Sequence, residues 1–300
     1  MKKFIQVCTK QCADIAQELG FKQSKNVFWR IVGDMYQTFY IETFKEGTAM
    51  KNCRIGFCII PLCARVSAEA DIRQQGLYYL KKFEPSYHLE DWQSWDGWRY
   101  NHDEKLREFC CKEIIRMLKE YLIPFFERTS QSKTALSELI ALEALFDDNR
   151  LCLGPGRAPA IDATGGVARL NKYDPVKYYL AVKAGDFDFA LDVMESVLRR
   201  QEESFKQSAD KFSRIAKTTG IEELVDHLKS GDTEYIIKLC RKHSSLLDRV
   251  DEAFYIVHKE QVGESKLIVE RLKAKDVEYF CQLFDRNEEY SRESFKRLIS

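Results

Sequence analysis

The stretch VKAGDFDFALDVM at residues 182–194 decides the fold of the second half of this chain, because the chain contains it three times. It returns as LKSGDTEYIIKLC at residues 228–240 and as LKAKDVEYFCQLF at residues 272–284. The central aspartates of the three copies are 46 and 44 residues apart. Repeats of this length are typical of helical arrays, in which each unit buries its apolar face on its neighbours.

Each copy predicts a helix, a tight turn and a second helix. The turn holds an aspartate suited to the N-cap of the second helix, at Asp186, Asp232 and Asp276. Apolar residues stand three, four, seven and eight positions after it and four, seven and eight positions before it, which predicts one buried stripe on each helix. Gly185 and Gly231 suit the left-handed conformation that ends a helix. Lys275 replaces glycine in the third copy, so we expect that cap to be weaker or built differently.

The charge balance restricts the class of partner. The chain carries 47 basic and 47 acidic side chains, which disfavours a cationic surface for nucleic acid or for a membrane. The apolar run at residues 55–64 is too short to span a bilayer. Lys10, Asp14 and Glu18 interrupt the apolar character of the N-terminus, so it predicts an amphipathic helix and no signal peptide. We therefore expect a cytoplasmic protein.

The ten cysteines form no CxxC pair, and most of them lie on predicted apolar faces. A reduced cysteine at such a position behaves as a small apolar side chain. Cys53, Cys58 and Cys63 recur every five residues, a spacing that alternates between the two faces of a strand and disfavours a shared metal ion. The sequence predicts no metal site and no cofactor.

Residues 1–148 predict an α+β domain with an antiparallel sheet over about residues 26–84. Two strand-like runs flank the two-residue turn signal Gly33-Asp34, and a third follows at residues 52–63. Residues 65–84 are ambiguous between a helix and a fourth strand. Helices are predicted over residues 3–19, 103–128 and 132–146. We expect these helices to pack on one face of the sheet, and Pro124 to kink or end the second of them.

The N-terminal part also resembles a known family. A helix ending in Leu19-Gly20-Phe21, followed by Lys22 and the hairpin NVFWRIVGDMYQTFYIETF, is similar to the bacterial domain of unknown function 4304 family. The resemblance covers at most the first hundred or so residues, and it implies an α+β fold and a bacterial source. It implies no catalytic residues. Genes of this general kind often lie in toxin and immunity neighbourhoods, which favours an immunity-type role.

Residues 149–173, NRLCLGPGRAPAIDATGGVARLNKY, form a Gly/Pro-rich connection to an all-α domain predicted over residues 174–300. A phosphate-binding loop needs closely spaced glycines between a strand and a helix. The glycine spacing here matches neither the dinucleotide fingerprint nor the P-loop, so an ordered linker is the favoured interpretation. The alternative is a ligand loop formed by Gly154, Gly156, Arg157, Gly165 and Gly166.

An aromatic segment at residues 87–102, YHLEDWQSWDGWRYNH, is the strongest candidate for a binding surface. Such a surface would suit a base, a sugar or an anchor residue of a partner protein, and its members would be Trp92, Trp95, Trp98, Arg99 and Tyr100. The favoured interpretation, however, is that the tryptophans pack against the edge of the sheet under a helix, with partial exposure in either case. His88 and His102 have acidic neighbours, but their spacing matches no catalytic or metal-ligand pattern.

These features predict a non-enzymatic protein-binding or inhibitor module of immunity type, with another protein as its partner. The alternative function is a ligand-binding regulator or a hydrolytic enzyme, with its site in a groove near residues 88–102 and 154–169. The sequence assigns no catalytic residue and does not determine the oligomeric state.

Overall fold

The structure is a computed structural model that describes residues 4–46, 50–65, 78–79, 93–94, 97–148, 174–218 and 252–297. Its helices are α1 (Phe4–Glu18), α2 (Glu104–Met117), α3 (Ile123–Arg128), α4 (Ser132–Asp148), α5 (Asp174–Ala184), α6 (Phe187–Thr218), α7 (Glu252–Lys273) and α8 (Val277–Arg297). Its strands are β1 (Lys22–Ser24), β2 (Val27–Val32), β3 (Met35–Glu46), β4 (Met50–Pro61), β5 (Tyr78–Tyr79), β6 (Gln93–Ser94) and β7 (Gly97–Tyr100). Among the helices in these ranges, none combines the length and the apolar character that crossing a bilayer requires.

The chain divides into two compact units. The first contains Met1–Asp186 together with Val277–Ser300, and the second contains Phe187–Asp276. The α+β class is confirmed. The division differs from the boundary expected at residues 149–173, which lie outside the described residues, because α5 and α8 belong to the same unit as the sheet.

The described strands of the first unit form one seven-stranded antiparallel sheet. Its order is β1-β2-β3-β4-β7-β6, and β5 also pairs with β4. Val32 pairs with Met35 across Gly33 and Asp34, so the predicted two-residue hairpin is confirmed. Gly33 has a φ of 60°, as the first position of a type II′ turn requires. Pairing of β3 with β4 extends over all twelve residues of each strand.

Aromatic side chains fill the space between one sheet face and the helices. Phe57 of β4 meets Phe125 and Phe126 of α3 at ring-centroid distances of 5.8 and 6.2 Å. Phe39 of β3 stacks on Phe28 at 4.6 Å and also contacts Phe126. All five rings are at most 1% exposed, so this layer supplies a large part of the apolar burial of the unit.

Helices cover the other sheet face as well, so the expectation of helices on one face is wrong. Trp29 and Tyr36 contact Phe295 of α8 at ring-centroid distances of 5.3 and 4.6 Å. Cys58 and Ile60 of β4 belong to the same buried cluster. Phe295 lies more than two hundred positions after these strands in the sequence, and Val176 of α5, which packs on the same cluster, lies more than one hundred positions after them. Local patterns therefore did not reveal this cover.

The helix predicted over residues 103–128 is confirmed, with one irregularity. A π-helical turn, Leu118–Leu122, joins α2 to α3. Pro124 lies two residues after this turn, and it has no N–H to donate to the carbonyl of Glu120, four residues earlier. A wider turn accommodates the proline ring without breaking the helix. The helix therefore continues to Arg128 and does not end at Pro124.

The two repeat corners within the described residues are built alike. At the first, the N–H groups of Gly185 and Asp186 donate to the carbonyls of Val182 and Ala181, at 3.0 and 2.9 Å. The third copy repeats both bonds at 3.0 and 3.1 Å, from Lys275 and Asp276 to Leu272 and Arg271. This is the Schellman arrangement. Asp186 and Asp276 directly precede α6 and α8, in the predicted N-cap position, while the corner at residues 228–240 lies outside the described residues.

Lys275 adopts the left-handed conformation in place of glycine, with a φ of 48°. Of the two expected outcomes, a cap that is built differently is wrong, because the lysine accepts the left-handed backbone conformation that Gly185 has in the first copy. A weaker cap stays a prediction. A side chain with a Cβ atom raises the energy of this conformation by about 1 kcal/mol or more.

Replacing Lys275 with glycine is expected to raise the free energy of unfolding by about 0.5–1 kcal/mol, because the strain at the corner is relieved. The ion pair between the Lys275 ammonium and the Asp188 carboxylate is largely exposed, so its loss removes little of that gain. Urea denaturation followed by circular dichroism measures the effect. Gly185→Lys is the reciprocal control and should lower the free energy of unfolding. If the Lys275→Gly variant is only as stable as the parent, the backbone of Lys275 is not strained.

In the second unit, α6 and α7 pack against each other. Three ion pairs connect α6 with α7 or with the residues just after α7. They are Asp188–Lys275 at 3.1 Å, Glu195–Lys273 at 2.9 Å and Glu202–Lys266 at 3.0 Å. The acids stand at seven-residue intervals, and their partners run in the opposite direction along the chain. Such pairs contribute little stability at an exposed surface, but they favour the antiparallel register over its alternatives.

Candidate functional site

The structure places two aromatic residues of the segment, Trp98 and Tyr100, in the core. Trp98, Arg99 and Tyr100 lie on β7, which pairs with β4. Trp98 is 1% exposed and Tyr100 is 4% exposed, and the Tyr100 ring lies 4.2 Å from that of Phe4 in α1. Residues two apart on a strand share a face, and here that face is the one on which α1 packs. These two side chains therefore pack in the core, which agrees with the favoured interpretation, and they are not part of a binding surface.

Trp92 and Trp95 lie outside the described residues, so a partner-binding role for the rest of that segment stays a prediction. The same holds for the ligand loop, whose five residues are Gly154, Gly156, Arg157, Gly165 and Gly166. Of the two candidate histidines, His88 also lies outside them.

His102 is exposed, and its Nδ1 lies 3.2 Å from Nη2 of Arg107. Its acidic neighbour Asp103 caps α2, because the carboxylate accepts a hydrogen bond from the N–H of Lys105 at 2.9 Å. The carboxylate nearest to His102 in the sequence is therefore already used as the N-cap of α2. No cluster of three or more His, Cys, Asp or Glu side chains in the described ranges is arranged to hold a metal ion.

A polar junction anchors the β2–β3 turn to the helices. The Asp34 carboxylate accepts hydrogen bonds from the N–H and the hydroxyl of Ser132 at 3.0 and 2.5 Å, and so caps α4 from ninety-eight residues away. The Lys183 ammonium lies 3.9 Å from Asp34 and 3.8 Å from Glu288. Burial raises the pKa of nearby Cys63 to about 12, so its thiol stays protonated at neutral pH. The junction therefore has the character of a structural anchor.

An open groove lies between α1 and the β1–β2 corner, with a volume of about 550 Å³. Side chains four positions apart on α1 form one wall, namely Ile5, Thr9 and Ala13, with Lys10 beside them. Gln23, Lys25 and Asn26 form the other wall. A second hollow of about 500 Å³ shares Lys10 with this groove and continues along α1 to Val7, which is 38% exposed.

The strand beside this groove is an edge of the sheet. β1 pairs with β2 on one side, and among the described strands none pairs with its other side. Its three residues are all exposed. Lys22 lies at the start of β1, with its ammonium 5.4 Å from the centre of the Trp29 ring. Together with Lys10 and Lys25, which line the groove, it places three lysines around the groove and the strand.

The sequence analysis missed this groove. The four-residue step of Ile5, Thr9 and Ala13 is visible in the sequence and could have indicated one wall. The opposite wall could not be predicted, because the residues of β1 show no apolar alternation and read as part of a loop. A groove between two elements becomes apparent only when both are placed.

No protein-family profile, no curated protein and no solved structure matches this chain. The resemblance to the family of domain of unknown function 4304 therefore stays a prediction. The residues of the groove and of β1 are consequently the basis on which a function is argued below.

Proposed function

We propose that this chain is a non-enzymatic protein-binding module of inhibitor type, which takes an extended, acidic segment of its partner alongside β1. One observation carries the proposal: an exposed edge strand stands beside α1 across an open groove of about 550 Å³. An immunity-type role is the narrower form of the proposal, in which the partner is a toxin.

Edge strands bind peptides by adding a strand to the sheet. The backbone of the incoming segment pairs with the open N–H and C=O groups of the edge, and alternate side chains enter the groove next to it. β1 offers such an edge, with its three residues exposed. Ile5 and Ala13 of α1 supply apolar contacts for the side chains that point inward.

The charges around the groove favour an acidic segment. Lys10 and Lys25 line the groove, and Lys22 stands on the edge strand itself. Lysines on an edge oppose pairing with the edge of another sheet, since the ammonium groups would lose water without a partner. Aspartate or glutamate in the incoming segment supplies that partner, so the same lysines give specificity and faster association.

A peptide-display selection on the immobilised full-length chain tests this proposal with random decapeptides as the probe. We expect the selected peptides to alternate apolar residues with Asp or Glu. Isothermal titration calorimetry should show that the double variant Lys10→Glu, Lys25→Glu binds them at least about tenfold more weakly, because like charges then face each other. The matched control, Lys105→Glu with Lys133→Glu on exposed positions of α2 and α4, should bind them as the parent does.

Hydrogen exchange locates the bound peptide independently of affinity. The amide protons of Lys22–Ser24 should exchange more slowly in the complex, because strand addition gives some of them an acceptor. Selected peptides that bind the charge-reversed variant with unchanged affinity, or that leave exchange in β1 unchanged, would show that the groove is not the binding site.

A further inference from the structure

The backbone groups that β1 turns outward follow from its pairing with β2. Residues 25 and 26 form the two-residue turn of this hairpin, and Ser24 pairs with Val27 across it. In such a hairpin the pair next to the turn exchanges both backbone hydrogen bonds, and the following pair exchanges none. Ser24 and Lys22 therefore bond to β2, whereas the N–H and C=O of Gln23 point to the open side of the strand.

The pairing of β2 with β3 gives the same alternation independently. The N–H of Ile41 donates to the carbonyl of Asn26 at 3.0 Å, so Asn26 turns its carbonyl toward β3. The direction alternates along β2, so Val27 and Trp29, the partners of the third and first residues of β1, turn their backbone groups toward β1. The backbone of Gln23, between those two residues, therefore faces away from β2.

The residues two positions before and after Gln23 are already bonded within the chain. The N–H of Phe21 donates to the carbonyl of Ala16 at 2.9 Å, as part of the cap that ends α1. The carbonyl of Lys25 accepts a hydrogen bond from the side-chain amide of Gln23 at 2.8 Å. Within residues 21–25, Gln23 is therefore the residue that offers both its N–H and its C=O to an added strand.

We infer that a partner segment docks on β1 in a single antiparallel register, with an apolar residue opposite Gln23 and an acidic residue directly after it, opposite Lys22. The register rests on the proposed function of this edge and names the two partner residues that the edge recognises. Antiparallel pairing is favoured because both backbone bonds of Gln23 then go to one residue of the partner, in the geometry of the other strand pairs of the sheet.

The two faces of the sheet determine which side chains suit these positions. Gln23 lines the groove, so a residue opposite it points toward Ile5 and Ala13 of α1. Lys22 points to the other face, where its ammonium lies 5.4 Å from the centre of the Trp29 ring. An acidic residue opposite Lys22 meets that ammonium as a cross-strand pair. The recognised motif is therefore one apolar residue followed directly by aspartate or glutamate.

The turn beside Gln23 is held in place before any partner binds. Lys25 adopts the left-handed conformation, with a φ of 55°, which a lysine avoids unless its surroundings impose it. Asn26 fixes the turn, because its carbonyl and its side-chain amide both bond to the backbone of Ile41 on β3. The edge is thus preorganised, which reduces the entropy that is lost on binding.

Methylation of the peptide backbone tests the register on the parent protein. The probe is the decapeptide that binds most tightly in the display selection, with each of its amide nitrogens methylated in turn. We expect at least about tenfold weaker binding when the methyl group is on the apolar residue before the acid, because that N–H bonds to the carbonyl of Gln23. Methylation of the acidic residue should change the affinity by less than about threefold, since its N–H points away from β1.

A charge exchange tests the acidic position. Lys22→Glu should weaken binding of the same decapeptide by about threefold or more, because like charges then stand opposite each other. A decapeptide with lysine in place of that acid should bind the Lys22→Glu variant better than it binds the parent. Lys105→Glu is the matched control on α2 and should leave both affinities unchanged.

The results separate the register from the proposed function. If residue-resolved hydrogen exchange shows that the selected peptides leave β1 unprotected, the proposed function fails and the register fails with it. If the peptides protect the amide of Gln23 but methylation of the apolar residue costs no affinity, the single register alone is wrong. A loss that falls instead on the residue after the apolar one would indicate parallel pairing and would overturn the antiparallel register.

Discussion

Replacing Trp98 with alanine is expected to lower the free energy of unfolding by about 3–5 kcal/mol, the usual range for a large aromatic residue lost from a core. Trp98 is 1% exposed and pairs with Cys53 in the interior of the sheet. Its removal leaves a cavity between β7 and the helices, which the strand pairing prevents from collapsing fully. Urea denaturation followed by tryptophan fluorescence and circular dichroism measures the loss.

Phe109→Ala is the matched control for this experiment. Phe109 lies on α2 and is 43% exposed, so its truncation should cost about 1 kcal/mol or less. The comparison also separates two roles for the aromatic segment. If Trp98 were part of a recognition surface, the Trp98→Ala variant would be as stable as the parent, and that result would contradict its place in the core.

The second large effect is expected at Gly33, where alanine should lower the free energy of unfolding by about 2–4 kcal/mol. Gly33 has a φ of 60°, and a Cβ atom there would lie 2.7 Å from the carbonyl oxygen of Ser130. That oxygen belongs to the backbone, so it can move away only if the chain before α4 shifts. The shift would also disturb the hydrogen bonds that Asp34 makes with Ser132.

Gly20→Ala controls for the left-handed conformation alone. Gly20 has a φ of 77° and ends α1 with the same pair of hydrogen bonds as the repeat corners, but a Cβ atom there would meet nothing within 4 Å. Its replacement should cost about 1 kcal/mol. The difference between the two variants measures the collision with Ser130. Equal losses in thermal or urea denaturation would show that the turn does not approach α4 as closely as described.

Features that depend on near neighbours in the chain were predictable. The hairpin over β2 and β3 followed from two apolar runs around Gly33-Asp34, and its register is the predicted one. The corner at Asp186 followed from a glycine, a capping aspartate and two apolar stripes, and the corner at Asp276 has the same hydrogen bonds. The strand at β5 resolves part of the ambiguous region in favour of a strand.

Features that depend on distant neighbours were not predictable. Trp98 and Tyr100 could equally have formed a surface, because an aromatic run on a strand has the same pattern whether or not a helix lies on top of it. The groove beside β1 lies between side chains well separated in the sequence, such as Ile5 and Gln23, so no short pattern reveals it.

The sequence by itself determined the β2–β3 hairpin, the corner at Asp186 and the helices of the first half, because hydrophobic period, capping and turn conformation are properties of a few adjacent residues. Only the tertiary structure decided which of their faces are covered. It placed Phe295 of α8 on the second face of the sheet, Trp98 beneath the helices and α1 across a groove from β1. The physical reason is that the exposure of a side chain depends on which other elements pack against it. Those elements can come from distant parts of the sequence, so a local pattern does not reveal them.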